Sequence, residues 1–345
     1  MDLLEHYSAF YSPELIDLSS SSAPAEFAPA EIETASDLDY VAPTGAEELR
    51  ALIAEDYPGL GAENVVLTSG ASEALAAFAH AVLKPGAAVW AARGTYPSFL
   101  EAAIRSQAEL KQTPLPEPHL DVISLCNPSV PDGQLLNPGV FDRCRYLLVD
   151  ESHLDLVHSK VTPRRAAGIS PRTVSVSGVS KSLGLGGVRL GWLVAMDREV
   201  CERVDREVQL LSGGPSSLSV AAAMQALQQR DDLVGGTVEA IRRNAHVVYR
   251  VLEEAGWRCR TPDAGLTVEA WPPDDAPPRV DLALHEQGYF LIPCDVYGTP
   301  GSYRISLLAD AQALQTALAV VTGRRSAPRP RGLAALAGRV RRTFS

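Results

Sequence analysis

VSGVSKSLGLGGVRLGW, residues 176–192, is the stretch on which the reading of this chain turns. Its first residues close an apolar, β-rich run, and Lys181 follows that run among small residues, ahead of a glycine-rich segment and Arg189. A lysine beside glycines suits a phosphate-binding loop, but the P-loop spacing of four residues between its first glycine and Gly-Lys is absent. A different use fits better. A lysine that forms an imine needs an uncrowded, partly desolvated setting that favours the neutral amine, and small neighbours let a ring approach. Arg189, eight residues on, supplies a fixed positive charge for a phosphate. Taken alone, the same string also fits a solvated lysine beside a flexible glycine loop.

Working outward, short apolar runs alternate with helical spacing. NVVLTSG (64–70), AAVWAA (87–92), VISLCN (122–127), YLLVDE (146–151), TVSVSG (173–178) and GWLVAM (191–196) read as strands. GAEELRALIAEDY (45–57), ASEALAAFAHAVL (71–83) and PSFLEAAIRSQ (97–107) carry helical periodicity. This pattern predicts an α/β fold with a mostly parallel central sheet and helices on both faces, because burial on both faces turns strands into apolar runs. Ligands then bind at the carboxyl ends of the strands. After a long helical stretch (about 199–257, broken by SGGPSS), LTVEAW (266–271), YFLIPC (289–294) and YRISLL (303–308) predict a smaller α+β domain. The expected organisation is an N-terminal arm over 1–35, a large domain over 36–230, a small domain over 231–324 and a basic, frayed tail over 325–345.

The bulk numbers bound the function. The 345 residues are 46% hydrophobic and 21% charged, an ordinary globular composition. A net charge of -11 argues against a nucleic-acid partner, which would want a basic footprint. Five scattered cysteines without a CxxC pair predict reduced thiols, a cytoplasmic setting and no metal site. No signal peptide is expected, because the first residues lack a basic region followed by an apolar run. No uncharged apolar stretch of about 18 residues exists, so no membrane span is expected.

The string Gly178-Val-Ser-Lys181-x-x-Gly184-Leu-x-Gly187-x-Arg189-x-Gly191 resembles the lysine signature of the class I and II aminotransferases, the fold-type I enzymes that use pyridoxal 5′-phosphate (PLP). The resemblance extends in chain order over roughly residues 38–310. It implies a cofactor held as a Schiff base on Lys181, with Ser180 and Arg189 near its phosphate. It gives the turn Ser69-Gly70-Ala71-Ser72 the same phosphate, gripped by Gly70, Ala71 and Ser72 at a helix N-terminus; Ser69 or Ser72 would otherwise be a plain helix cap. Tyr96 of GTYPSF matches the aromatic that stacks on the pyridine ring. Asn127 of NPSVPDG matches the asparagine that meets the ring's phenolic oxygen, and is also counted with the substrate-binding residues.

Asp150, closing YLLVD, matches the aspartate that pairs with the pyridinium nitrogen. A protonated ring is the better electron sink, and a buried carboxylate keeps its proton in place. Arg304 of SYRISLL matches the arginine that takes the substrate carboxylate as a bidentate pair. Tyr40 resembles a tyrosine that reaches the phosphate of the neighbouring subunit, which implies a homodimer with shared active sites.

Three features depart from the family pattern. His153 stands where a tyrosine is common, three residues after the ring aspartate. An imidazole there could contact the phenolic oxygen and, titrating near neutrality, act as an extra acid or base; a structural histidine is the plain alternative. Gly178 stands where a phosphate-binding serine is common, with Ser177 or Ser180 as replacements. The arm offers only DLSSSSAP in place of a glycine-containing substrate loop.

The expected activity is transfer of an amino group from an amino acid to a 2-oxo acid. The same cofactor also serves lyases, cyclases, decarboxylases and amino-acid oxidases of specialised biosynthesis. A non-catalytic descendant of the fold would lack cofactor altogether.

Overall fold

The computed structural model describes residues 2–24, 28–29, 41, 46–111, 113, 115–141 and 144–321. The chain opens with helix α1 (Leu3–Phe10) and a two-residue strand β1 (Ile16–Asp17), then α2 (Glu47–Ala54), β2 (Val65–Thr68) and α3 (Ala71–Val82). Next come β3 (Ala88–Ala91), α4 (Pro97–Arg105), β4 (Glu109–Lys111), β5 (Leu120–Cys126), β6 (Cys144–Asp150), β7 (Thr173–Gly178) and β8 (Gly191–Ala195). Three helices follow: α5 (Arg198–Leu211), α6 (Ser217–Gln228) and α7 (Arg230–Glu254). The chain then runs through β9 (Arg258–Arg260), β10 (Thr267–Trp271), α8 (Val280–His285), β11 (Tyr289–Phe290), β12 (Ile292–Pro293), β13 (Tyr303–Ser306) and α9 (Ala311–Val321).

Seven strands form the central sheet in the order β2-β8-β7-β6-β5-β3-β4. All neighbours are parallel except β8, which runs antiparallel to both β2 and β7. The two faces of this sheet explain the apolar runs. Val66 packs with α3 and α5 on one side, whereas Val65 and Leu67 pack on the other with α2 and α6. A period-two strand covered on both faces needs apolar side chains at every position. The predicted α/β architecture is therefore the observed one. Two short edge strands, β4 and β9, carry charged residues and had no apolar run to announce them.

The smaller body is a four-stranded antiparallel sheet, β12-β13-β10-β9, covered by α7 and α9. YFLIPC, read as one strand, divides at Leu291. Its first half, β11, pairs in parallel with β1 of the N-terminal arm, and its second half, β12, joins β13. The arm is thus stitched to the small body. Helix α1 reinforces this: a reciprocal cap between Asp2 and Glu5 starts it, and Leu3 packs with Phe290, Ile292 and Tyr297.

Candidate active site

The strand ends converge as the sheet topology requires. Parallel β5, β6 and β7 deliver Asn127, Asp150 and Lys181 to one edge, and β8, running the other way, begins there just after Arg189. A cavity of about 360 Å³ lies at this edge. Of the residues expected from sequence, Ala71, Ser72, Tyr96, Asp150, His153, Ser180, Lys181, Arg189 and Arg304 line it. Gly70 and Asn127 do not line it, although their chain neighbours Ala71, Cys126 and Pro128 do. Tyr40 and the basic tail lie outside the described residues.

Only four lysines occur in the chain, Lys84, Lys111, Lys160 and Lys181. Lys84 and Lys160 are exposed, and Lys111 pairs with Glu109 at the sheet edge. Lys181 alone enters the cavity. Its Nζ donates to Ser21 Oγ and Ser22 Oγ, both at 3.3 Å, and its carbonyl accepts from Ala23 N at 3.0 Å. The serine run of the arm therefore lies directly over the lysine. Burial, with Arg304 and Arg189 nearby and only Asp150 opposing, lowers the Lys181 amine to about 8. The solvated-lysine reading does not survive this environment.

Asp150 accepts from Ser152 N at 3.0 Å and from Ser152 Oγ at 2.6 Å. Burial raises its pKa against these two bonds and the field of Lys181. A cationic partner in the cavity would restore it to the carboxylate. Asn127 gives its side-chain oxygen to Leu136 N at 2.9 Å, leaving the Nδ2 hydrogens for other partners. His153 is pushed down to about 3, first by burial and then by the charges of Lys181 and Arg304. The near-neutral titration expected from sequence gives way to an imidazole that is neutral near pH 7. Its buried Nδ1 has no hydrogen-bond partner among the described residues.

The anion end is built from close backbone contacts. Helix α3 has Gly70 as its N-cap, at φ +94°, with no side-chain cap. Neither Ser69 nor Ser72 caps it; Glu73 N and Ala74 N turn back to Gly70 O at 3.1 and 3.3 Å, whereas the N–H groups of Ala71 and Ser72 have no acceptor among the described residues. A Cβ at Gly70 would lie 2.5 Å from Arg189 Nη2, and one at Gly191 would lie 2.4 Å from Ala71 N. Arg189 Nη2 also donates to Ser69 O at 3.2 Å, which holds the guanidinium over the turn. Gly178 has a similar explanation: a Cβ there would approach Leu190 O to 2.8 Å. The missing serine is a packing requirement. Ser177 is buried and spent on Glu151 O, whereas Ser180 lines the cavity, so only Ser180 is placed to replace it.

The lining gathers three cations, Lys181, Arg189 and Arg304, against one carboxylate, Asp150, in a chain of net charge -11. None of the three cations forms an ion pair among the described residues. That charge pattern suits a ligand carrying a phosphate at one end and a carboxylate at the other. An uncapped helix N-terminus, a depressed lysine, a buried aspartate and a flanking tyrosine fit the phosphate, aldehyde, ring nitrogen and ring face of PLP. Beyond the residues read from sequence, Tyr7, Ser21, Ser22, Ser152 and Tyr297 line the same cavity. Ser152 lies two residues from Asp150 and could have been found as a local carboxylate partner. The others had no local signal.

A model of the family "Aminotransferase class I and II" matches residues 15–321. The chain is 26% identical over 334 residues to the arginine–pyruvate transaminase AruH of Pseudomonas aeruginosa, covering 85% of this chain and 84% of that protein. It is 30% identical over 310 residues to the capreomycidine synthase of Streptomyces vinaceus, covering 81% of this chain and 78% of that protein. Among solved structures, aspartate aminotransferase from Thermus thermophilus with maleate superposes with a TM-score of 0.77 at 19% identity, over 94% of both chains. The PLP-dependent cyclase OrfR gives 0.78 at 22% identity, over 94% of this chain and 97% of that one. Both likenesses speak to the fold.

Proposed function

Because the chain belongs to the class I and II aminotransferase family, whose cofactor is pyridoxal 5′-phosphate, we propose that it moves an amino group from an amino acid to a 2-oxo acid with that cofactor held on Lys181. The observation that carries this reading is the convergence of Lys181, Asp150 and Arg304 on one cavity from separate parts of the chain. PLP bound there supplies an electron sink for the charge left on the substrate's α-carbon when a bond to it breaks.

The chain's own residues do the rest. Lys181 Nζ, lowered to about 8 so that a substantial fraction is the neutral amine near physiological pH, takes the α-proton and returns it. Asp150 holds the proton on the ring nitrogen. Arg304 would fix the substrate carboxylate and so orient the bonds of its α-carbon. Tyr96 and Asn127 would hold the ring, with His153 as a neutral neighbour. Gly70, Ala71, Ser72, Ser180 and Arg189 hold the phosphate.

The test is a purified protein that takes up PLP with a visible absorption band and converts amino acid plus 2-oxo acid to the exchanged pair. A colourless protein that takes up no added PLP would sink the reading. A second outcome, a lyase, cyclase, decarboxylase or oxidase on the same cofactor, is favoured by His153, which stands where the family commonly has a tyrosine and whose Nδ1 has no hydrogen-bond partner among the described residues. Turnover with no 2-oxo acid present, releasing ammonia, carbon dioxide or peroxide, would select it. The chain is further proposed to act as a homodimer in the cytoplasm. The five free cysteines suit a reducing compartment, and light scattering of the holoenzyme checks the dimer.

The depressed lysine makes its own prediction. Only the neutral amine attacks an aldehyde, so the rate of PLP uptake by the apoprotein should rise as pH rises through about 8 and level off above it. A rate that climbs only towards the ordinary lysine value of 10.5 would contradict the burial of Lys181.

A further inference from the structure

Arg304 is buried, and its donors are partly committed. Nε donates to Ser19 O at 3.0 Å, Nη2 to Tyr7 Oη at 3.1 Å, and Nη1 to Tyr297 Oη. A guanidinium has five N–H groups. Three are engaged, which leaves one hydrogen on each Nη, the pair a carboxylate needs for a two-pronged bond.

The two phenols are more than props. Arginine has no acceptor, so each hydroxyl takes a hydrogen from Arg304 and keeps its own to give. Neither gives it to any acceptor among the described residues. Both tyrosines line the cavity. Burial raises the pKa of each above the ordinary phenol value, so both remain protonated donors.

Their positions are held from different directions. Tyr7 rides on the capped helix α1, which is pinned by His6 Nε2 to Leu291 O at 3.2 Å and by contact of the Tyr7 and Phe290 rings at 5.2 Å. Tyr297 lies just ahead of β13 and packs with Leu3 of α1, Phe290 and Ile292.

We propose that Tyr7 and Tyr297 complete the substrate-carboxylate site, so that the carboxylate meets two N–H donors of Arg304 and two phenolic O–H donors. A carboxylate offers about four lone-pair positions, and this set answers all of them. The two phenols sharpen recognition of a free carboxylate, because an amide or ester offers the four donors fewer acceptor positions and no negative charge. Four charge-assisted bonds also oppose loss of the carboxylate as carbon dioxide. This inference rests on the proposed function, since it assigns the far end of the same cavity.

The experiment uses the PLP-loaded protein with propionate and propionamide as probes, their binding followed by calorimetry. Tyr297→Phe and Tyr7→Phe are each expected to weaken propionate by about tenfold or more, with propionamide changed less than twofold. KM for the amino substrate should rise while kcat stays within a few-fold. Each variant keeps its ring, and thermal melting reports whether packing holds. Unchanged propionate affinity in both variants, or equal losses for propionamide, would overturn the assignment. Failure to load PLP in the unmutated protein would instead count against the proposed function, so the two failures are distinguishable.

Discussion

Lys181→Ala is expected to lose turnover by roughly 10²–10⁴-fold from its proton-transfer role alone, with the anchoring of the cofactor lost as well. The expectation follows from the lysine inventory. With Lys84 and Lys160 exposed and Lys111 paired on an outer strand, no other lysine enters the cavity. A substitute amine is therefore out of reach. Borohydride treatment followed by peptide mass spectrometry should find the cofactor fixed to Lys181 in the unmutated enzyme and to no residue in the variant. The fold should persist, because among the described residues the Lys181 side chain contributes only two long bonds to arm serines, and its backbone bond from Ala23 N is kept in the variant. Cofactor fixed to another lysine, or turnover within tenfold of the parent, would move the reaction elsewhere.

The second large effect is expected at Asp150. Burial raises its pKa, and the two bonds from Ser152 do not fully offset that burial. Such a carboxylate is held ready for a cation. Breaking a buried ion pair by removing one partner costs about 3–5 kcal/mol, which corresponds to a loss of roughly 150- to 4000-fold. Asp150→Asn keeps the shape and removes the charge. It should weaken PLP, measured by equilibrium dialysis, or lower kcat, with the two losses together reaching that magnitude. Asp150→Glu should not rescue it, because a longer side chain at the end of β6 would displace the ring. Near-parental affinity and rate in Asp150→Asn would remove the carboxylate from the ring nitrogen.

The legible part of the site is the part built from short-range geometry. A strand, a tight turn and a helix leave their marks within a dozen residues, so the strings around Gly70–Ser72, Asp150 and Lys181–Arg189 could be matched to the family pattern and placed at strand ends. Gly178 shows the limit of that reasoning. A comparison of patterns marks it as a missing serine, whereas the close approach of Leu190 O shows that no side chain fits there. His153 shows another. Residue type suggests an acid or base near neutrality, and enclosure with two cations removes its charge.

The run of serines near residue 20 has the composition of a linker, yet Ser21 and Ser22 touch the reactive amine from 160 and 159 residues away. The arm is held there because β1 pairs with β11 and α1 caps and packs on the small body.

The sequence by itself determined the α/β class, because apolar runs alternating with helical spacing are properties of local periodicity. The candidate site residues, Lys181 among them, are singled out by the resemblance of their strings to the family pattern and not by periodicity. Only the tertiary structure decided the other end of the cavity. Tyr7 meets Arg304 across 297 residues, and Ser19 meets it across 285. No spacing rule connects residues brought together by the docking of a helix onto a distant strand. That contact depends on complementary packing, which is a property of the folded surface.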